Sequence, residues 1–297
     1  MKICGKDVAI AGGMIRIARL AAEKFEFLDD PDEALAQLRS AARRIDLFTF
    51  TQKLPATSPN YAFPMEWDNF AALGISTYDA WWTQTIDNKT RNMVRRAEKR
   101  GVVVREVPFD DSLVDGIWKI YNETPIRQGK PFPHYGKDLD RVRREAATFL
   151  PRSIFIGAFV ETTLIGFIKI TLDDARTQAG IMNIVSLIEH RDKAPTNALV
   201  AGAIRSCAER QIPCLTYANF AYGNKQRDSL ADFKRNNGFE RVDVPRYYVP
   251  LTRLGQTALR LGLHKPLVAH VPELVLARVR GVRNAWYNRH IQDARHS

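Results

Sequence analysis

The chain has 297 residues, of which 45% are hydrophobic and 26% charged, enough for one or two domains with a sizeable core. No apolar run reaches the ~18 residues a membrane-spanning helix needs, and residues 1–19 lack the apolar block and cleavage site of a secretory leader, so a cytoplasmic protein is expected. Cys4, Cys207 and Cys214 are odd in number, widely spaced and set among apolar residues. They read as buried thiols in a reducing compartment.

The formal charge of +11 is clustered. Between Asp87 and Arg105 seven bases face two acids, a net +5, and from Leu251 onward eight bases face two acids, a net +6. Clusters of one sign point to an anionic partner: nucleic acid, a phosphorylated substrate or a membrane surface. A solvated helix face is the alternative for either run.

Residues 7–11 and 14–28 read as a hairpin about Gly12-Gly13. A helix follows, capped by Asp30 and started by Pro31, with Leu35, Leu38, Ala42 and Ile45 at helical spacing. Residues 47–51 and 65–75 read as strands on either side of a proline-containing loop. One helix is expected over 77–100, opened by Ser76 or Thr77 and stopped by Gly101. Its bases gather at the carboxy end, where the helix dipole favours them.

From residue 102 the pattern reads strand (102–107), helices (111–124, 137–150), hairpin (153–160, 164–172), strand (179–188), helix (195–210), strand (213–218), helix (228–236) and a last extended segment (239–250). This β-α-α-β-β-β-α-β-α-β order resembles that of GNAT acyltransferases. Residues 88–101 (NKTRNMVRRAEKRG) resemble the basic helix before the second unit of Fem-type peptidyltransferases, and Phe233-Lys234 followed by Gly238-Phe239 resembles their Phe-Lys and Gly-Phe element.

The resemblance spans roughly residues 77–250. It implies an α/β fold, a GNAT-like mixed sheet flanked by helices. A reduced amino-terminal GNAT-like unit would occupy residues 1–76, the transferase domain 77–250, and a basic helical tail 251–297. Within that tail, residues 272–289 place apolar residues on one face and arginines around it, the pattern of an interfacial helix. Docking on an anionic membrane, or on the protein's own core, would both suit it.

GNAT domains hold acyl-coenzyme A where the fourth strand feeds its helix, on a glycine-rich loop. Here the corresponding string is Arg191-Asp192-Lys193-Ala194-Pro195-Thr196-Asn197. Arg191, Lys193, Asn197 and the helix end keep an anion site, but Ala194 and Thr196 replace glycines, Pro195 removes an amide donor, and Asp192 adds a negative charge. Fem-type proteins also lack the glycines and take an aminoacyl group from charged transfer RNA. The expected donor is therefore aminoacyl-tRNA or acyl-CoA, with no permanently bound cofactor. A proline-started helix with an Asp cap is the structural alternative.

By the same resemblance Lys234 stands at the reacting centre, where an ammonium can stabilise developing negative charge, with Phe233 beside it against substrate. Tyr217 or Tyr222 would protonate the leaving group, and Asn219 falls in the same loop. The polar segment 121–135 corresponds to the loop over the acceptor. Glu123 or His134 could take a proton there, Arg127 and Lys130 could bind an acidic group, and Arg246 could complete the wall.

Arg91, Arg95, Arg96, Lys99 and Arg100 are the nucleic-acid-binding candidates. No histidine, cysteine or carboxylate grouping has metal spacing, and no nucleophile elbow or dinucleotide fingerprint occurs.

These features imply transfer of an acyl, preferably aminoacyl, group onto an amine or hydroxyl of a phosphorylated or lipid-linked cell-envelope or polysaccharide precursor, at the inner face of the membrane. An acyl-CoA-dependent N-acetyltransferase and a catalytically silent RNA-binding scaffold are the alternatives.

Overall fold

The computed structural model describes residues 1–221 and 229–265; Tyr222 and the segment 272–289 lie outside them. After β1 (Lys2–Ile3), the strands β2 (Lys6–Ala11) and β3 (Ile17–Leu20) form the expected hairpin, with Ala11 opposite Ile17. Its second strand stops well before residue 28, because the amides of Phe25 and Glu26 turn back onto the Ala22 carbonyl. Helix α1 (Pro31–Arg39) is capped as read, the Asp30 carboxylate accepting from the amides of Asp32 and Glu33, and it buries Ala34, Leu35 and Leu38. Strands β4 (Leu47–Thr51) and β5 (Met65–Gly74) follow.

The helix expected over 77–100 is in fact broken. It consists of a short α2 (Tyr78–Ala80), one π-helical turn at Trp81–Thr85, an extended Ile86, and α3 (Asn88–Lys99), which Asp87 caps through the Thr90 amide. The break has a physical cause. Trp81 is buried with its indole N–H on the Asn237 carbonyl, which fixes the first piece against a residue 156 positions further along the chain. Arg91 then donates to the carbonyls of Trp82 and Ile86, both at 2.7 Å, satisfying acceptors that the interruption releases. Gly101 follows α3 with a φ of +76°, the left-handed geometry that closes a helix.

The expected order then appears as β6 (Val102–Val107), α4 (Asp111–Tyr121), α5 (Leu139–Ala146), β9 (Ser153–Val160), β10 (Thr163–Leu172), β11 (Ala179–Ser186), α6 (Pro195–Glu209), β12 (Cys214–Thr216), α7 (Ser229–Asn236) and β13 (Glu240–Pro250). Between α4 and α5 lies an additional two-stranded ribbon, β7 (Ile126–Arg127) and β8 (Lys130–Pro131). Gln128 and Gly129 both have positive φ at its turn, the geometry of a tight hairpin. Helix α8 (Arg253–Arg260) closes the described part.

Among the described residues, eleven strands form one sheet in the order β1-β2-β3-β4-β13-β5-β12-β11-β10-β9-β6. Strand β5, from the amino-terminal segment, lies between β12 and β13 and is antiparallel to both. The sheet's residues alternate between two layers. Ile156, Ile168 and Ile170 belong to the core shared with α3 and α6, whereas Phe155 and Phe167 belong to the core beneath α4 and α5. Lys169 on β10 is buried, and its ammonium donates to the carbonyls of Ala146 and Thr148 at the end of α5; burial lowers its pKa to about 8. Among the described residues, no helix is long and apolar enough to cross a membrane.

Candidate active site

Strands β11 and β12 run parallel but pair only through Ala179 with Leu215 and Gly180 with Thr216. Beyond those pairs β11 continues to Ser186 beside β10, while residues after Thr216 follow β5 through mutual hydrogen bonds of Tyr217 and Ala218 with Ala71. The two strands therefore part, and a cleft of about 480 Å³ opens there. It is lined by the end of β11, the start of α6, Tyr217, the outer side of α7 through Leu230 and Phe233, Met93 of α3, and Arg127, Gln128 and Phe132 of the ribbon.

Helix α6 points its amino terminus into this cleft. Its N-cap is Ala194, which supplies no side-chain cap and stands in left-handed backbone at φ +53°. The loop thus keeps the conformation a glycine would give, at a steric cost of roughly 1–2 kcal/mol for a non-glycine residue. Pro195 has no amide hydrogen, so the free first-turn donors are those of Thr196 and Asn197. Asp192 does not cap the helix, and it is not a lining residue; its carboxylate lies 3.5 Å from Arg100 and 3.9 Å from Lys193. Arg191, Thr196 and Asn197 do line the cleft, whereas Lys193 turns to His190 Nδ1 at 3.1 Å.

Glu123 holds this loop from below. Its carboxylate accepts from the amides of Ile188 (2.6 Å) and Glu189 (3.1 Å) and from Arg127 at 2.9 Å. Arg127 in turn donates to the carbonyls of Ser186 and Ile120 and lies over the Phe132 ring, and burial lowers its pKa with the Glu123 charge opposing. Its Nε is buried with no hydrogen-bond partner. Glu123 is thereby committed to the loop rather than presented to the cleft. His134 lies behind Phe132, stacked on Tyr121 at 4.3 Å with Lys137 Nζ 3.0 Å from its Nδ1; burial and then the Lys137 charge lower its pKa. Lys130 is exposed on β8. Among the described residues that line the cleft, none is Asp, Glu or His.

Lys234 occupies the buried side of α7 and is fully inaccessible. Its ammonium donates to the Asn219 carbonyl at 2.6 Å and lies 4.6 Å from the centroid of the Tyr217 ring, so it meets the cleft through that ring. The neighbouring Phe233 lines the cleft directly. Gly238 has a φ of +88°, and a Cβ there would stand 2.5 Å from Thr85 Cγ2. Phe239 is buried and packs edge-on against Tyr217. Lys234 and Phe239 thus meet Tyr217, whereas Gly238 admits the close approach of Thr85.

Arg246 is not on the cleft wall. It is buried between Glu23 (2.9 Å) and Asp68 (2.8 Å), and these two carboxylates hold its pKa above the usual arginine value against the opposing effect of burial. Asn219 faces the same cluster, its amide donating to Asp68 at 2.7 Å. Sequence reasoning missed Asp68 and Asn69, although the signal was present: both residue types are depleted within strands, and here they sit adjacent in the middle of β5.

On α3 the bases divide. Arg91 is committed to the helix break, and Arg95 lies over the Trp82 ring at 5.6 Å. Arg96, Lys99 and Arg100 are exposed. Met93 lines the cleft, and Lys89, Arg96 and Arg100 share its helical face at spacings of four, three and seven residues.

No family model and no curated protein matches this chain by sequence. Solved structures do match in fold. FemX aligns with a TM-score of 0.61 at 12% identity, over 86% of each chain. The C-terminal domain of an assigned lysylphosphatidylglycerol synthetase from Agrobacterium fabrum aligns at 0.57 and 14%, over 86% of this chain and 83% of that one. L-PGS from Bacillus licheniformis aligns at 0.54 and 13%, over 86% and 84%. The architecture is thus the mixed sheet of the GNAT type, in the Fem-like arrangement.

Proposed function

We propose that this protein transfers an acyl group, with an aminoacyl group as the favoured cargo, onto an amine or hydroxyl of a cell-envelope or polysaccharide precursor. The observation that carries the reading is the parting of β11 and β12, which sets the uncapped amino terminus of α6 and the phenol of Tyr217 in one cleft. Free amides and the positive end of a helix attract an anionic donor. Tyr217 supplies a hydroxyl that can protonate the leaving oxygen. Lys234 acts through Tyr217: an ammonium beneath the ring offsets negative charge left on the phenol oxygen. The acceptor's proton passes to solvent water.

The stripe from Lys89 to Arg100 favours aminoacyl-tRNA over coenzyme A. The eleven steps from Lys89 to the C-cap Arg100 rise about 16 Å, longer than one phosphate group requires and suited to a polyanion. The names of the structural neighbours, lysylphosphatidylglycerol synthetase among them, also favour an aminoacyl cargo and a lipid-linked acceptor, hence work at the inner face of the membrane. Acetyl-coenzyme A is the second reading, because Ala194 preserves the left-handed turn of a phosphate-holding loop. A thermal-shift screen with acetyl-coenzyme A and with aminoacylated tRNA separates them. A ligand present at about 100 times its Kd stabilises the native state by roughly 2.7 kcal/mol. A shift with charged tRNA alone supports the first reading, a shift with acetyl-coenzyme A alone the second, and no shift with either contradicts both.

A further inference from the structure

The residues that place Tyr217 and Lys234 come from the opposite end of the sequence. Strand β5 templates the segment 217–221 along its backbone, with Tyr217 N–H on the Ala71 carbonyl and Ala71 N–H on the Ala218 carbonyl at 2.8 and 2.9 Å. Two adjacent side chains of β5 then hold the same segment beyond the backbone pairing. Asp68 accepts from the Asn219 amide at 2.7 Å, and Asn69 accepts from the Ala221 N–H at 3.0 Å. Asn219 offers its carbonyl to Lys234 at 2.6 Å, so its side chain and backbone link β5 to the ammonium under Tyr217.

Asp68 cannot swing away from this duty. One of its oxygens is bound to Asn219 and to the Asn69 amide, and the other takes Arg246 at 2.8 Å and Lys24 at 3.3 Å. Lys24 and then Arg246 hold its carboxyl pKa below the usual value in spite of burial, so it stays charged at neutral pH.

We infer that Asp68 and Asn69 are positioning residues that fix Tyr217 on the cleft wall and Lys234 beneath its ring, making the amino-terminal segment a structural partner of the reaction rather than an appendage. The inference rests on the acyl-transfer reading for its consequence, but its geometry can be tested separately. Asp68→Asn would leave Arg246 and Lys24 short of a buried counter-charge and could simply fail to fold. Asn219→Ala and Asn69→Ala cut one link each and leave the charged cluster whole.

The first readout is the ¹⁵Nζ ammonium signal of Lys234 by NMR, assigned by its loss in Lys234→Met. Proton exchange of that ammonium should rise at least ~10-fold in both variants as the local structure loosens, and stay unchanged in Ile3→Val, a destabilised control in the amino-terminal core. The second readout is kinetic, with whichever of acetyl-coenzyme A or aminoacylated tRNA the wild type consumes. In both variants kcat should fall by roughly 10- to 100-fold while KM for the donor moves little. Unchanged ammonium exchange in both variants overturns the inference, as does unchanged kcat in a protein whose ammonium has loosened. Absence of transfer by the wild type would strike the acyl-transfer reading alone and leave the exchange measurement to decide the placement.

Discussion

At the scale of the residue, Lys234 and Ala194 carry the sharpest consequences. Lys234→Met retains the length and apolar stem, removes the charge beneath Tyr217, and should lower kcat by about 100-fold, the order expected for losing one electrostatic stabiliser. Near-wild-type turnover of charged tRNA by this variant would remove the lysine from the mechanism. Ala194→Gly should stabilise the fold, since it relieves a left-handed alanine worth roughly 1–2 kcal/mol and gives back up to about 1 kcal/mol through a freer unfolded chain. The net gain of up to ~1 kcal/mol would raise Tm by about 2–4 °C, and a fall in Tm would show that the loop is not strained. The Phe-Lys pair singled out Lys234 in the sequence, but its burial was not legible there. Nothing local in Phe233-Lys234 says which side of α7 meets the sheet; that is set by Asn219 and Tyr217, which are distant in sequence.

At the scale of the element, most strands and helices were legible because they announce themselves by period and punctuation. Asp30-Pro31, Gly101 and Pro195 each mark a boundary that the structure keeps. The break at Ile86 was not legible, because no Gly or Pro stands between the Ser76 or Thr77 cap and Gly101, and the interruption is stabilised by Asn237 and Arg91 across space. Gly238→Ala tests how closely the first piece meets the turn after α7: positive φ and a Cβ 2.5 Å from Thr85 Cγ2 should together cost about 1–3 kcal/mol. Thr85→Ser removes the clashing methyl and should recover part of the loss but not the backbone strain. Full additivity of the two changes in a denaturation cycle would refute this close approach.

The basic stripe of α3 makes a second prediction at this scale. Arg96→Gln with Arg100→Gln should flatten the slope of log affinity for tRNA against log salt by about one to two units, since each phosphate left without its arginine removes roughly 0.7–0.9 from that slope. Gln keeps helix propensity, so stability should hardly move. A slope identical to wild type would leave these arginines as a solvated face.

For the whole molecule, the sequence order from residue 102 to 250 foretold the GNAT-type layering, but not how the amino-terminal segment joins it. Strand β5 reads locally as any half-buried strand, and only the tertiary arrangement inserts it between β12 and β13, where Asp68 and Asn69 hold the segment that follows Tyr217. The same long-range pairing explains why Arg246, expected at the acceptor wall, is instead bound to Glu23 and Asp68.

The central claim is that this cleft takes an aminoacyl group presented on tRNA. Isothermal titration of the full chain with total tRNA, aminoacylated against uncharged, measures it most directly. The account predicts binding to both forms through α3, tighter for the aminoacylated form, and weak or no binding of acetyl-coenzyme A. Equal affinity for charged and uncharged tRNA, or tight binding of acetyl-coenzyme A, would contradict it.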